Sequence, residues 1–155
     1  TTDNRRVTIK AKERALQTGL PAAAIELQDG TIITSKTSDL LGACAALLLN
    51  AVKHLGNINH DVLLIPSSII EPIQEMKVKY LKGKNPRLHT DEVLVALAML
   101  SKNDQNAKIA IEQLPKLQGA QVHTTVMLSE VDRKILKKLC IDFTSEPVKK
   151  EAKSF

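Results

Sequence analysis

Aromatic side chains are nearly missing from this chain. Tyr80, Phe143 and Phe155 are the whole set, 2% of 155 residues, with no tryptophan. Recognition of bases by aromatic stacking therefore has little to work with. The core must instead come from Ala, Leu, Ile and Val, within a hydrophobic share of 43%. Cysteine is equally scarce: Cys44 and Cys140 lie in apolar stretches and form no CxxC or Cys/His ligand spacing. That excludes a disulfide framework and a zinc finger, and buried free thiols in a reducing, cytoplasmic compartment are the expectation. No apolar run approaches the roughly 20 residues that a membrane-spanning helix needs, and the basic N-terminal stretch leads into no signal-peptide core. A GxxxxGK[ST] phosphate loop is also missing, so ATP hydrolysis by this chain alone is not expected. No cofactor is implied.

Charge is present but poorly concentrated. The formal net charge is +5, yet residues 1–14 contribute +3 and residues 147–155 contribute +2. Ala15 to Glu146 balances 14 basic against 14 acidic residues, which argues against a general nucleic-acid surface. One local cluster remains. Lys77, Lys79, Lys82, Lys84 and Arg87 fall within eleven residues that contain no acid. A solvated helix end is the plain reading of such a run, and a phosphate or carboxylate ligand is the sharper one.

Length and hydrophobic content fit one domain, here residues 1–146, followed by a flexible basic tail over 147–155. Asp3 or Thr2 can cap a first helix with Val7, Ala11, Ala15 and Leu16 near one face, ending at Gly19 before Pro21. Two β-prone runs, Ala22 to Leu27 and Thr31 to Ser35, flank Gln28-Asp29-Gly30, a hairpin signal. Thr37, Ser38 or Asp39 then caps a helix over Leu40 to Leu55, apolar almost all round and hence expected in the core. Val62 to Ile65 reads as a buried strand, and Pro66-Ser67-Ser68 opens a helix from about Ile69 to Leu81. Further helices are expected at Asp91 to Ser101, Asn106 to Leu117 and Glu130 to Leu139, the last capped by Ser129 with Asp132 three residues on. Strands are expected at Gln121 to Leu128 and Ile141 to Thr144. The alternation predicts a layered α/β sandwich, with strand-helix-strand echoed weakly at 62–81 and 122–144.

The order helix, hairpin, helix, strand, helix resembles the opening of the cytidine-deaminase-like fold, an analogy of scaffold alone. A zinc deaminase needs a His or Cys with a nearby Glu on the first core helix and Pro-Cys-x-x-Cys on the next. Gly42-Ala43-Cys44-Ala45 and Ser67-Ser68-Ile69-Ile70 stand there instead. No metal site is expected. Cys44 reads as a core residue, and His54, His60 and His123 read as surface or satisfied structural histidines.

The most informative segment is Lys84-Asn85-Pro86-Arg87-Leu88-His89-Thr90-Asp91-Glu92. Pro86 fixes its own φ and holds Asn85 out of the α region, which orders the turn. His89 or Thr90 then sits at a helix start, with Asp91 and Glu92 in the first turn where acids suit the positive end of the dipole. Capping explains the acids and leaves Arg87 and His89 over. Candidate ligand-binding residues are therefore Lys36, Thr37, Ser38, Lys84, Arg87 and His89, around the helix starts near Ser38 and Thr90. The candidates for catalysis are His89, Asp91 and Glu92.

Three longer stretches, Thr18 to Leu27, Lys36 to Ala43 and Lys84 to Leu94, carry a specific resemblance. Ile70-Glu71-Pro72-Ile73-Gln74, His123-Thr124-Thr125-Val126 and Ser145-Glu146-Pro147 extend it over nearly the whole chain. In these segments the chain resembles the C-terminal domain of an uncharacterised bacterial family, the domain of unknown function eighteen-forty-six. Cys44, at a small-residue position, and the Lys149 to Lys153 tail depart from its pattern. The resemblance implies a protein about three times longer, with an N-terminal part similar to a nucleotide-binding domain that carries a P-loop-like segment. That N-terminal domain would be a partner of this one. Two functions of different class follow: the anion-binding half of a larger enzyme, or an assembly module whose Ala/Leu-rich surfaces build a homo-oligomer or clamp the N-terminal half. Where Arg87 and Lys36 point discriminates between them.

Overall fold

A computed structural model describes residues 5–146. The expected caps at Thr2 and Asp3 and the tail at 147–155 lie outside the described residues. Six helices and a four-stranded mixed sheet make up the described chain. Helix α1 (Arg6–Thr18) ends where Gly19 takes a left-handed conformation, φ 70°, that a glycine adopts without steric cost. The hairpin follows as β1 (Ala22–Glu26) and β2 (Ile32–Lys36), paired antiparallel from Ala22 opposite Lys36 to Glu26 opposite Ile32. Asp29 accepts a hydrogen bond from the Thr31 amide at 2.9 Å across the turn.

Strand β1 is central, and its composition reflects that place. Ala22, Ala23, Ala24 and Ile25 are all fully buried, because α1 covers one face and α2 (Ala43–Leu55) the other. Ala24 packs with Val7 and Ala11 of α1, while Ala23 and Ile25 join the main core. Alanines let both helices approach the sheet closely. The face of α1 is turned from the expected one. Val7, Thr8 and Ala11 are buried, and Leu16 is 85% exposed.

The sheet order is β2-β1-β3-β4, with β3 (Gln121–Thr124) antiparallel to β1 and parallel to β4 (Asp142–Ser145). Helix α6 (Glu130–Lys138) crosses between β3 and β4. The remaining helices, α3 (Ser67–Glu75), α4 (Thr90–Leu100) and α5 (Gln105–Glu112), complete the α layer on the α2 side. A layered α/β architecture is thus what the chain adopts.

Several boundaries differ from expectation. Helix α3 ends at Glu75 and gives way to a π-helical turn over Met76–Tyr80, and α5 ends at Glu112 before a 3-10 turn over Leu114–Leu117. Three further differences have a reason in the contacts of the chain. Residues 62–65 are no strand. The Val62 amide closes a turn onto Asn59 O at 3.0 Å, and Leu64 and Ile65 are buried as irregular chain. A short apolar run shows burial but cannot by itself show pairing. The deaminase-like order and the 62–81 echo both required that strand. The expected strand at 121–128 stops at Thr124, since β1, its partner, has run out at Ala22; the Thr125 amide takes the last bond, to Ala22 O at 2.9 Å. Helix α2 starts at Ala43 and not Leu40, because Leu41 forms a bridge with Leu88 and Ser38 folds onto the amides of Leu40 and Leu41.

Candidate functional site

The late start of α2 has a consequence for charge. Its first turn has no side-chain cap and no acid, so the amides of Ala43 and Cys44 remain without the usual partner. Gly42 precedes them, held by its own amide to Leu88 O at 3.2 Å. Leu88 is also tied to Leu40 O at 2.9 Å, which fastens the Asn85-Pro86-Arg87 turn beside the helix start. Asn85 Oδ1 accepts from the Arg87 amide at 3.1 Å. The proline-containing turn is ordered as the sequence implies.

A cavity of about 300 Å³ opens at this point. The N-termini of three helices line it: Gly42, Ala43 and Cys44 of α2, His89 preceding α4, and Ser129 preceding α6. Arg87 and Asp132 are among its polar lining residues, and Leu20, Pro21, Val126 and Met127 among its apolar ones. Residues 126–128, beyond the end of β3, contribute to that lining before α6 begins.

Arg87 is anchored by Nε, which donates to Ser38 O at 2.6 Å. This leaves the terminal guanidinium nitrogens without a protein acceptor among the described residues. Arg87 O in turn accepts from Lys77 Nζ at 2.6 Å, and Lys77 Nζ also meets Glu92 Oε1 at 2.9 Å. Glu92 Oε1 accepts the His89 amide at 2.8 Å and lies 3.5 Å from His89 Nδ1. Burial raises the Glu92 carboxyl, but the His89 hydrogen bonds and the Lys77 ammonium outweigh it and hold the group at about 2. The same carboxylate raises His89 above its ordinary value, against the opposing effect of burial. Glu92 therefore orients the imidazole and favours its cationic form, at the edge of the cavity that His89 lines.

Asp132 also lines the cavity. It is 8% exposed, and its Oδ1 accepts from the Thr90 amide at 3.0 Å and the Thr90 hydroxyl at 2.7 Å, joining α6 to α4. Ser129 Oγ caps α6 by accepting from the Asp132 amide at 3.1 Å. Burial, with Asp132 nearby, pushes the Cys44 thiol well up, so it stays protonated and is a poor nucleophile. Among the described residues no group of three or more His, Cys, Asp and Glu side chains could hold a metal ion.

Of the candidate residues, Thr37, Arg87 and His89 meet in the cavity. Ser38 contributes through its carbonyl, which positions Arg87. Lys36, at the end of β2, does not line the cavity, and Lys84 is exposed in solvent. The basic cluster dissolves: Lys79 faces Glu75 at 3.9 Å, Lys82 donates to Lys79 O at 3.0 Å, and Lys77 serves Glu92. Asp91 spends Oδ1 on the Glu92 amide at 2.8 Å and lies outside the cavity. His123 is a satisfied structural group, 2.7 Å from Thr144 Oγ1 and 2.6 Å from Glu146 Oε2. Gly42, Ser129 and Asp132 were not among the candidates. The Ser129-x-x-Asp132 capping pattern was visible, but the approach of α6 to α4 was not.

Comparison with known proteins gives the family. Residues 3–155 match the family described as "Domain of unknown function DUF1846, C-terminal". A UPF0371 protein of Corynebacterium urealyticum is 51% identical over 146 residues, which are 94% of this chain and 29% of the relative. A UPF0371 protein of Streptococcus uberis is 44% identical, over 94% of this chain and 30% of its own length. The chain thus spans less than a third of the curated relatives it matches. No helix among the described residues is long and apolar enough to cross a membrane. On the match over almost its entire length, the chain belongs to the DUF1846 family and is similar to its C-terminal domain.

Proposed function

We propose that this domain binds a small phosphate- or carboxylate-bearing molecule and acts as the ligand-binding half of a longer protein. One observation supports the reading: the residues at the uncapped N-terminus of α2, Arg87 with its terminal nitrogens unengaged, and the Glu92-supported His89 line one cavity of ligand size. Amides at a helix start and a guanidinium together favour an anion. His89 adds a proton donor that Glu92 orients, the arrangement expected of a general acid beside a phosphate or carboxylate.

Calorimetric titration with inorganic phosphate tests it. Binding should be measurable, and Arg87→Ala should weaken it about tenfold to a hundredfold, the worth of one charge-assisted contact. Unchanged affinity in Arg87→Ala would refute the site. His89→Ala should spare binding more than Arg87→Ala does, and should abolish any turnover by the longer protein.

A second reading rests on a different surface. Ile69, Met76, Val95 and Met99 line an apolar groove between α3 and α4, and Val95 and Met99 are 62% and 71% exposed. Monomeric domains rarely leave such a strip uncovered. In the longer family proteins the groove would pack against the part that precedes this domain. Val95→Lys should then disrupt contact between the two parts in the full-length protein, detected as independent melting, while leaving phosphate binding intact.

A further inference from the structure

The carboxylate of Asp132 is out of place in a cavity built for an anion alone. Its residue is more than nine-tenths buried and lines the cavity. Oδ1 is fully used by the Thr90 amide and hydroxyl. Oδ2 has no donor among the described residues. That oxygen is not itself a buried atom, so it is reachable from the cavity that the residue lines, where a carboxylate oxygen accepts a proton from the occupant. The Thr90 contacts alone would be met equally well by asparagine, whose side-chain oxygen can accept both bonds, with no like charge held beside an anion.

We infer that the ligand carries a hydroxyl close to its acidic group, and that Asp132 Oδ2 accepts from this hydroxyl while Arg87 and the α2 amides hold the anion. This rests on the anion-site reading and narrows it to hydroxylated phosphomonoesters or hydroxy acids. A hydroxyl fits better than an ammonium. Arg87, His89 and the start of α2 line the same cavity and already make it electropositive, and a second cation would meet that field. The apolar lining of Leu20, Pro21, Val126 and Met127 suits a short carbon skeleton attached to those polar groups.

A matched pair of probes separates the claims. Glycerol 3-phosphate and propyl phosphate share a three-carbon frame and a phosphate, and differ in hydroxyls. The wild-type domain should bind glycerol 3-phosphate about tenfold more tightly, and Asp132→Asn should remove most of that preference while leaving propyl phosphate bound as well or better. Circular dichroism and melting would confirm that the Asn variant keeps the Thr90 contacts. Phosphoethanolamine should bind no better than propyl phosphate; tighter binding would overturn the hydroxyl assignment in favour of an ammonium. Equal affinity for the first two probes, or a preference that survives in Asp132→Asn, would overturn the role of Asp132 while the anion site stands. Failure of inorganic phosphate and all three esters to bind would overturn the anion site itself, and this inference with it.

Discussion

Glu92→Gln is the substitution whose effect can be worked furthest from the structure. The carboxylate is held at about 2 against an ordinary 4.5, which corresponds to about 3 kcal/mol of preference for the ionised form at about 1.4 kcal/mol per pH unit. Its side chain is 28% exposed, and solvent screening reduces the figure to about 2 kcal/mol. Because the folded value lies below the unfolded one, this stability is fully present above pH 4.5 and is lost as the pH falls through about 2. His89 behaves in the opposite sense. Its folded value is raised, so its contribution is complete below 6.5 and fades as the pH rises past the folded value. Glutamine removes the ionic partner of Lys77 and of cationic His89 together. Urea denaturation at pH 7 should show a loss of about 2 kcal/mol, equivalent to about 4–8 °C in melting temperature for a domain of this size. The two proteins should converge as the pH approaches 2. A loss independent of pH would show that Glu92 acts by packing alone, and a loss under about 0.5 kcal/mol at pH 7 would refute the network, by the usual range for surface changes.

Gly42 has φ −67° and ψ 160°, which any residue adopts, and a Cβ there would meet only Leu88 O at 3.8 Å. Gly42→Val should therefore fold normally, fill part of the cavity and weaken phosphate binding at least about tenfold by the cost of an excluded contact; unaltered binding would place the ligand elsewhere. The two thiols should also differ. Cys140 is exposed and Cys44 is buried with a raised pKa, so a disulfide reagent should label one thiol promptly and the other only on unfolding. Prompt labelling of both would contradict the closed packing at the start of α2.

What the sequence revealed and what it concealed divide along local and non-local lines. The Asp29-Gly30 hairpin, the Gly19 helix stop and the Ser129 cap are written in adjacent residues, and all three form as expected. The turn at Asn85 to Arg87 is similarly local, and it is ordered by the Asn85 side chain. Residues 62–65 fail because strand pairing needs a distant neighbour that an apolar run does not reveal. The delayed start of α2 has the same origin. Leu41 meets Leu88, 47 positions away, and this bridge leaves Gly42 and not Ser38 at the helix start. Arg87 stands out by exclusion, since capping explains its neighbours, whereas His89 proves to be itself the N-cap of α4, in a capping box with Glu92. Lys36 and Lys84 were drawn in by charge and chain proximity, which say nothing of direction. Asp132 could not be found from its own segment, because its contact with Thr90 spans 42 residues.

The central claim is that the anion sits on the start of α2 beside Arg87. Amide NMR of the isotopically labelled domain, titrated with inorganic phosphate, addresses it most directly. The account predicts that the Ala43 and Cys44 amides shift furthest, that Arg87 and His89 follow, and that Arg87→Ala abolishes the response at the same phosphate concentration. Shifts confined to the exposed lysines of residues 79–84, with the α2 amides unmoved, would contradict it.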